Sequence, residues 1–310
     1  MKTTNILFID TDPGVDDALA ITMINNLSNE TKKYDKIIYS SIGGNTSLKN
    51  THQNMMNILK TLQSSYSEIY KGSERTLLGQ KFVDAEHYHG KNGLTTKLNN
   101  SELNHTTIES YELLQNLYLE DKGTKITFLM LGPLTNLAKA LITIPSISNI
   151  VKEVIIMGGA FYVKGNATQY SEFNIYADPE AANIVFKSDI PIKAIGLDVC
   201  DEVIINRDRF YESKYLFTES KTKNSKFSNL VIDSFFDFHS NKSEMSLCDP
   251  IAVVCLFYEN LFEYKLKNVT VNLDKLTKGQ TIPSKQKGNV SIAVNLNFNE
   301  VMQIIDKSLS

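Results

Sequence analysis

Residues 10–17, Asp10-Thr11-Asp12-Pro13-Gly14-Val15-Asp16-Asp17, hold four carboxylates within eight positions. The stretch follows the apolar run Ile6-Leu7-Phe8-Ile9 and precedes the helical pattern Ala18-Leu19-Ala20-Ile21, so it reads as a turn from a strand into a helix. Pro13 and Gly14 bend the chain, and Asp16 and Asp17 fall in the first helical turn, where the positive end of the helix dipole favours anions. The plainer alternative is an over-capped helix start, although one aspartate is enough for a cap. Four carboxylates packed together repel unless a cation stands among them, and a hard ion with oxygen ligands, Ca²⁺ or Mg²⁺, suits the set. In an open α/β sheet such turns lie at the carboxyl ends of the strands, where ligands bind.

Strand and helix patterns alternate along the rest of the chain, with no internal repeat, linker or low-complexity tract. This predicts an α/β fold in which an open, mainly parallel sheet is flanked by helices, built as one domain over 1–310. A helix is expected from Asp16 to Leu27, a strand at Lys36–Tyr39, a helix at Leu48–Leu62 and a strand at Glu68–Lys71. The turn Gly43-Gly44-Asn45 lets backbone approach a ligand and offers an amide as donor and acceptor; a plain turn with Asn45 in the left-handed region is the alternative. From Gly72 to Asn104 no periodicity survives, and His87-Tyr88-His89-Gly90 lies in this loop, where a His-x-His pair can reach a shared site.

A helix over 106–120 and a strand at Ile126–Leu131 follow, with Pro133 expected in the first turn of the next helix. Val154–Met157 reads as a strand buried on both faces. Asp178-Pro179 and Asp249-Pro250 both read as a cap followed by proline at the first helical position. Polar helices are expected at 207–217 and 224–241, and a period-two strand at Ser291–Leu296 precedes a last amphipathic helix.

The formal net charge of −3 with scattered lysines argues against nucleic-acid and membrane-surface partners. The longest apolar run, Ile251–Tyr258, is too short to span a bilayer, and no signal-peptide pattern opens the chain. The three cysteines, Cys200, Cys248 and Cys255, leave an odd thiol without zinc-ligand spacing, which fits a reducing, cytoplasmic setting.

Taken together the motifs resemble the inosine-uridine-preferring nucleoside hydrolase family. The carrying residues are Asp12-Pro13-Gly14-Val15-Asp16-Asp17, Gly44-Asn45, His87-Tyr88-His89-Gly90, Gly132-Pro133-Leu134-Thr135-Asn136 and Met157-Gly158-Gly159. In the second half they are Gly165-Asn166-Ala167-Thr168, Glu172-Phe173-Asn174, Asp178–Ala182 and Asp249-Pro250, all in the family's order and covering nearly the whole chain. The resemblance implies Ca²⁺-dependent hydrolysis of the N-glycosidic bond of ribonucleosides by a homodimer or homotetramer. It implies Asp12, Asp17, Asp249 and the main-chain carbonyl of Leu131 as calcium ligands, with Asp12 also the base that activates water and Asn45 beside that water. It further implies Asp16, Asn174 and Asp249 on the ribose 2′- and 3′-hydroxyls, Asn166, Glu172 and Met157 around the 5′ side with Phe173 among them, and His89 near the base.

One position departs from the pattern. Where the best-known branch has a histidine that helps the base leave, this chain has Cys248, whose thiol should be raised by burial beside carboxylates and donate a proton poorly. His239 is the possible substitute, against the plainer reading of a surface histidine on a solvated helix. Tyr88, Phe235, Phe236 and Phe238 are available as aromatic walls in a chain with no tryptophan. Two other functions compete: a catalytically weak nucleoside or ribose sensor, and a haloacid-dehalogenase-type phosphatase with Asp10 as nucleophile, Asp12 as acid/base and Mg²⁺ bound. A dinucleotide-binding protein is disfavoured because no Gly-x-Gly-x-x-Gly follows a strand.

Overall fold

Alternate residues of β1 (Thr4–Thr11) serve two different cores. Leu7 and Ile9 pack into one apolar cluster and Ile6 and Phe8 into another on the opposite side, all at most 1% exposed. A strand buried on both faces is what a parallel sheet sandwiched between helices demands.

The computed structural model describes residues 3–66, 68–99, 109–119, 123–212 and 222–310. After β1 come α1 (Val15–Thr31), β2 (Lys36–Ser41), α2 (Leu48–Leu62), β3 (Glu68–Lys71) and, inside a long connection, the single turn α3 (Glu86–His89). Next are α4 (Ser110–Leu119), β4 (Thr124–Met130), α5 (Thr135–Thr143), β5 (Val151–Met157), the short α6 (Phe173–Ala177) and α7 (Pro179–Phe186). Then follow β6 (Ile192–Ile195), α8 (Leu197–Cys200), β7 (Ile204–Asn206), α9 (Arg207–Glu212), α10 (Lys223–Phe238), β8 (Glu244–Ser246) and α11 (Cys248–Phe257). The chain closes with β9 (Phe262–Lys267), β10 (Val269–Val271), β11 (Thr281–Pro283), β12 (Val290–Leu296) and α12 (Phe298–Leu309).

The main sheet has the order β3-β2-β1-β4-β5-β6-β12-β9. Its pairs are parallel except the last, where β9 runs antiparallel to β12. The chain winds outward from β1 in one direction to β3, then returns to place β4 on the other side of β1. That reversal opens a crevice at the carboxyl ends of β1 and β4, the place where open sheets of this kind bind ligands. The acidic turn follows β1 and Leu131-Gly132 follows β4, so both lie at the crevice.

Several expectations need correcting. α1 runs on to Thr31 and is closed by Lys32 in the left-handed region (φ 50°), not at Leu27. Asn45 is not left-handed: among described non-glycine residues only Lys32 and Gln63 have positive φ. Pro133 lies before the N-cap Leu134 of α5, so it ends the loop and does not open the helix. Asp178 does cap α7, accepting from the Ala181 amide at 3.1 Å, whereas Asp249 lies inside α11, whose N-cap is Leu247. The helix expected at 224–241 stops at Phe238. The outer parts of those expected at 106–120 and 207–217, and the end of the aperiodic loop at 100–104, lie outside the described residues. The pairs β7–β8 and β10–β11, with strands of three residues each, give too short a run for periodicity to reveal.

Candidate active site

The acidic turn is held by its own side chains. Asp17 accepts from the Gly14 amide at 2.9 Å, which closes the N-terminus of α1 as the capping alternative expects, and its other oxygen accepts from the Thr11 hydroxyl. The Asn45 amide group spans the turn, donating to the Asp12 carbonyl at 3.0 Å and to Asp17 Oδ2 at 3.2 Å. The Asn45 backbone N–H donates to Asp12 Oδ2 at 2.7 Å. Asp12 Oδ1, on the other side of the same carboxylate, is buried and has no hydrogen-bond partner.

Ligand oxygens of Asp16, Asp17 and Asp249 lie within 4.8 Å of one another. Asp16, expected on the ribose, thus joins two of the expected metal ligands, while Asp12 stands outside that trio. Burial, with the charge of Asp17 next, holds the Asp12 carboxyl well above its usual range, and the same two causes push Asp16 up to about 7. Asp17 is raised by burial against the opposing Thr11 bond, and Asp249 by burial and then by the charges of Asp17, Asp16 and Asp12. Mutually repelling carboxylates with little access to water, and a buried Asp12 oxygen without a partner, are features that a hard dication satisfies. The residues therefore fit such an ion. The Leu131 carbonyl accepts from Asn174 Nδ2 at 2.8 Å, which leaves it one lone pair.

Beside this cluster opens a cavity of about 500 Å³. Asp16, Asn45, His89, Leu131, Met157, Asn166, Glu172, Phe173, Asn174, Cys248 and Asp249 all line it, so eleven of the expected site residues converge on one space, while Asp12 and Asp17 lie behind this lining. Glu172 caps α6: Oε1 accepts from the Asn174 amide at 2.8 Å, and Oε2 from Gly159 and Ile175 at 3.1 Å each. Asn166 Oδ1 accepts from the Phe173 amide at 2.9 Å, leaving its NH₂ to donate. Asn174 spends Nδ2 on Leu131 and on the Met157 carbonyl at 3.2 Å, which leaves Oδ1 to meet a hydroxyl.

His89 Nδ1 accepts from the Val15 amide at 3.1 Å, so the ring is neutral with its proton on Nε2. Burial is the main reason its imidazole falls to about 3, with His87 and His239 adding to it. His87 lines the cavity from an exposed position, so the His-x-His pair does reach one space.

Two readings of the base side change, and the expectation of a raised, neutral Cys248 holds. His239 is buried, at 9% exposure, and is no surface histidine, yet it does not line the cavity; its Nε2 bonds the Tyr88 carbonyl at 2.8 Å. Phe235 and Phe236 are core residues with no exposure and Phe238 points outward at 51%, so Tyr88 alone of the four aromatic candidates reaches the cavity. Cys248 does line the cavity, and its thiol is pushed well up, first by its bond with the Cys200 thiol and then by burial, so it is a neutral group at physiological pH. Asp10 is buried with both oxygens bound to Asn136 Nδ2, at 2.9 and 3.1 Å, and away from the cavity, which removes the phosphatase nucleophile. Lys242 and Ser246 also line the site; they lie in a polar stretch between helices that carries no sequence signal.

A sequence model of the family described as inosine-uridine preferring nucleoside hydrolase matches residues 7–303. The chain is 32% identical over 284 residues to a probable uridine nucleosidase 2 of Arabidopsis thaliana, covering 89% of this chain and 84% of the relative. It is 28% identical over 310 residues to an inosine-uridine preferring nucleoside hydrolase of Crithidia fasciculata, covering 96% and 95%. A solved plant nucleoside hydrolase superposes with a TM-score of 0.87 at 27% identity over 98% of each chain.

Proposed function

Because the chain belongs to the inosine-uridine preferring nucleoside hydrolase family, we propose that the crevice between β1 and β4 binds a ribonucleoside beside a Ca²⁺ ion held by Asp12, Asp17, Asp249 and the Leu131 carbonyl. The chain is a nucleoside N-ribohydrolase: water is added across the N-glycosidic bond, giving ribose and a free base. The observation that carries the metal assignment is the buried, partnerless Asp12 Oδ1 beside the trio of Asp16, Asp17 and Asp249. When bound, a hard dication keeps these carboxylates ionised, acidifies water and orients the sugar diol.

The chain's own groups supply the rest. Asp12, with Oδ2 fixed by the Asn45 amide, uses Oδ1 to take the proton of the attacking water, and Asn45 borders that water. Asp16, Asn174 Oδ1 and Asp249 hold the 2′- and 3′-hydroxyls, while Asn166, Glu172, Met157 and Phe173 enclose the 5′ side. As the bond to the base stretches, the sugar gains positive charge, and the surrounding carboxylates and amide oxygens stabilise it. His89 Nε2–H is the neutral donor on the base side, with Cys248 near it as a poor acid.

Uridine and inosine, the substrates in the relatives' names, are the first to try. Release of reducing sugar from inosine, adenosine, guanosine, uridine and cytidine, with and without a calcium chelator, tests the reading. Ribose release that stops on chelation and returns with Ca²⁺ is expected; release unaffected by chelation would remove the metal from the assignment. We further infer one catalytic domain over 1–310, acting in the cytoplasm as a homodimer or homotetramer. Three free cysteines support the location. Sedimentation measures the assembly.

A further inference from the structure

The cavity wall carries a pair that the reaction as described leaves unused. The ammonium of Lys242 sits 4.8 Å from the centre of the Tyr88 ring, and both residues line the cavity with His89 and Cys248. Tyr88 is fixed there. Its ring meets those of His89 at 4.9 Å, Phe235 at 5.3 Å and His239 at 5.5 Å, its N–H donates to Ala85, and its carbonyl is bonded by His239. Packed against three neighbouring rings, the half-buried Tyr88 presents a face to the exposed Lys242 side chain, whose ammonium is attracted to it.

The charge pattern gives this placement its meaning. Among the described residues lining the cavity, Lys242 is the one lysine or arginine, against the carboxylates of Asp16, Asp84, Glu172, Asp201 and Asp249. Among the described residues no carboxylate forms an ion pair with it. When the C1′–N bond breaks, its electron pair goes to the base. In uracil and hypoxanthine that negative charge spreads onto carbonyl oxygens. Every carboxylate in the cavity opposes it, and Lys242 is the lining group whose charge can meet it.

We propose that Tyr88 and Lys242 form the wall of the base subsite, with the Lys242 ammonium stabilising the negative charge on the oxygens of the departing base. Resting on the ribohydrolase reading of this cavity, the inference makes Lys242 a specificity-determining residue for bases that carry carbonyl oxygens, with Tyr88 positioning it and His239 positioning Tyr88. The base, once released, takes its proton from solvent.

The test compares wild type, Lys242→Met, which keeps the apolar stem, and Lys242→Arg, which keeps the charge, on uridine, inosine, adenosine and p-nitrophenyl riboside. The nitrophenolate leaves without help, and adenine has no carbonyl oxygen. Lys242→Met is expected to lower kcat for uridine and inosine by roughly ten- to a hundredfold, and to lower it several-fold less for the other two, with Lys242→Arg restoring most of the loss. An equal fall on all four substrates, or no fall on uridine and inosine, overturns the role of Lys242. A wild type that releases ribose from none of the four overturns the reading of the cavity itself.

Discussion

Asp12 gives one carboxylate oxygen to the Asn45 amide and leaves the other buried without a partner. An amide at this position keeps the shape and the bond from Asn45 but cannot accept a proton from water. Asp12→Asn is therefore expected to lower kcat by about 10³-fold or more while circular dichroism and the thermal midpoint stay near wild type; wild-type rates would remove Asp12 from the base role. His89 makes a prediction about pH. Its ring is held neutral in the fold, falling to about 3, mainly by burial. Below the ordinary histidine value near 6.5 the unfolded chain takes a proton that the folded one refuses, so stability is present above that value and is lost as pH falls toward 3. Between pH 7 and 5 this contribution amounts to about 2 kcal/mol. Urea unfolding of wild type and His89→Gln at both pH values should show the variant losing less stability on acidification. Cys248→His, by supplying a stronger acid to the leaving base, should raise inosine turnover; an unchanged rate would mean that no acid is needed there.

The turn after β4 shows how one element is shaped by the site on another. A Cβ added to Gly132 would lie 2.5 Å from Asp12 Oδ1 and 3.1 Å from Ile42 Cγ2, and Asp12 cannot retreat because the Asn45 amide holds its far oxygen. Gly132→Ala should therefore cost about 1–3 kcal/mol of stability by overpacking and, by displacing the carboxylate, reduce kcat far more than that loss of folded protein explains. Activity and urea unfolding measured together separate the two. Elements of this kind were legible wherever their residues repeat or bend the chain: α2 and β3 have the boundaries that periodicity predicts, and the strand–acidic turn–helix order of 6–21 holds. What stayed hidden depends on partners distant in sequence. Asp249 resembles a cap locally and is joined to Asp16 and Asp17 through the family resemblance alone; the packing of α11 against α1 is what brings it to them. His239 is polar by type and buried because α10 ends against the Tyr88 segment. Lys242 gains a role only through a ring 154 positions away, a proximity no local pattern encodes.

At the scale of the molecule, the parallel sheet places both cores on either side of β1 and leaves its crevice for polar groups, so the repelling carboxylates are gathered where the fold cannot bury anything apolar over them. An ion bound there as proposed would tie whole-chain stability to its own binding. Without a cation, Asp16 is pushed up to about 7 by burial and then by Asp17, so over pH 4–7 the folded chain holds a proton that the unfolded chain, with the usual aspartate value of 3.8, has released. More protons on the folded side mean that stability falls as pH rises through that window. Asp10, raised to about 7 by its own burial away from the cavity, adds a fall of the same sign that no ion removes. Ca²⁺ held as proposed would take the carboxylates in their ionised form and expel their protons, so its stabilisation should grow with pH. At a free concentration about 100 times the dissociation constant it is worth ~2.7 kcal/mol, on the order of 5 °C in midpoint for a chain of this size. Calorimetry at pH 5.5 and 7.5, with chelator or with Ca²⁺, should show the chelated midpoint dropping more steeply than the loaded one. Parallel curves would mean that the carboxylate cluster is not where the ion binds.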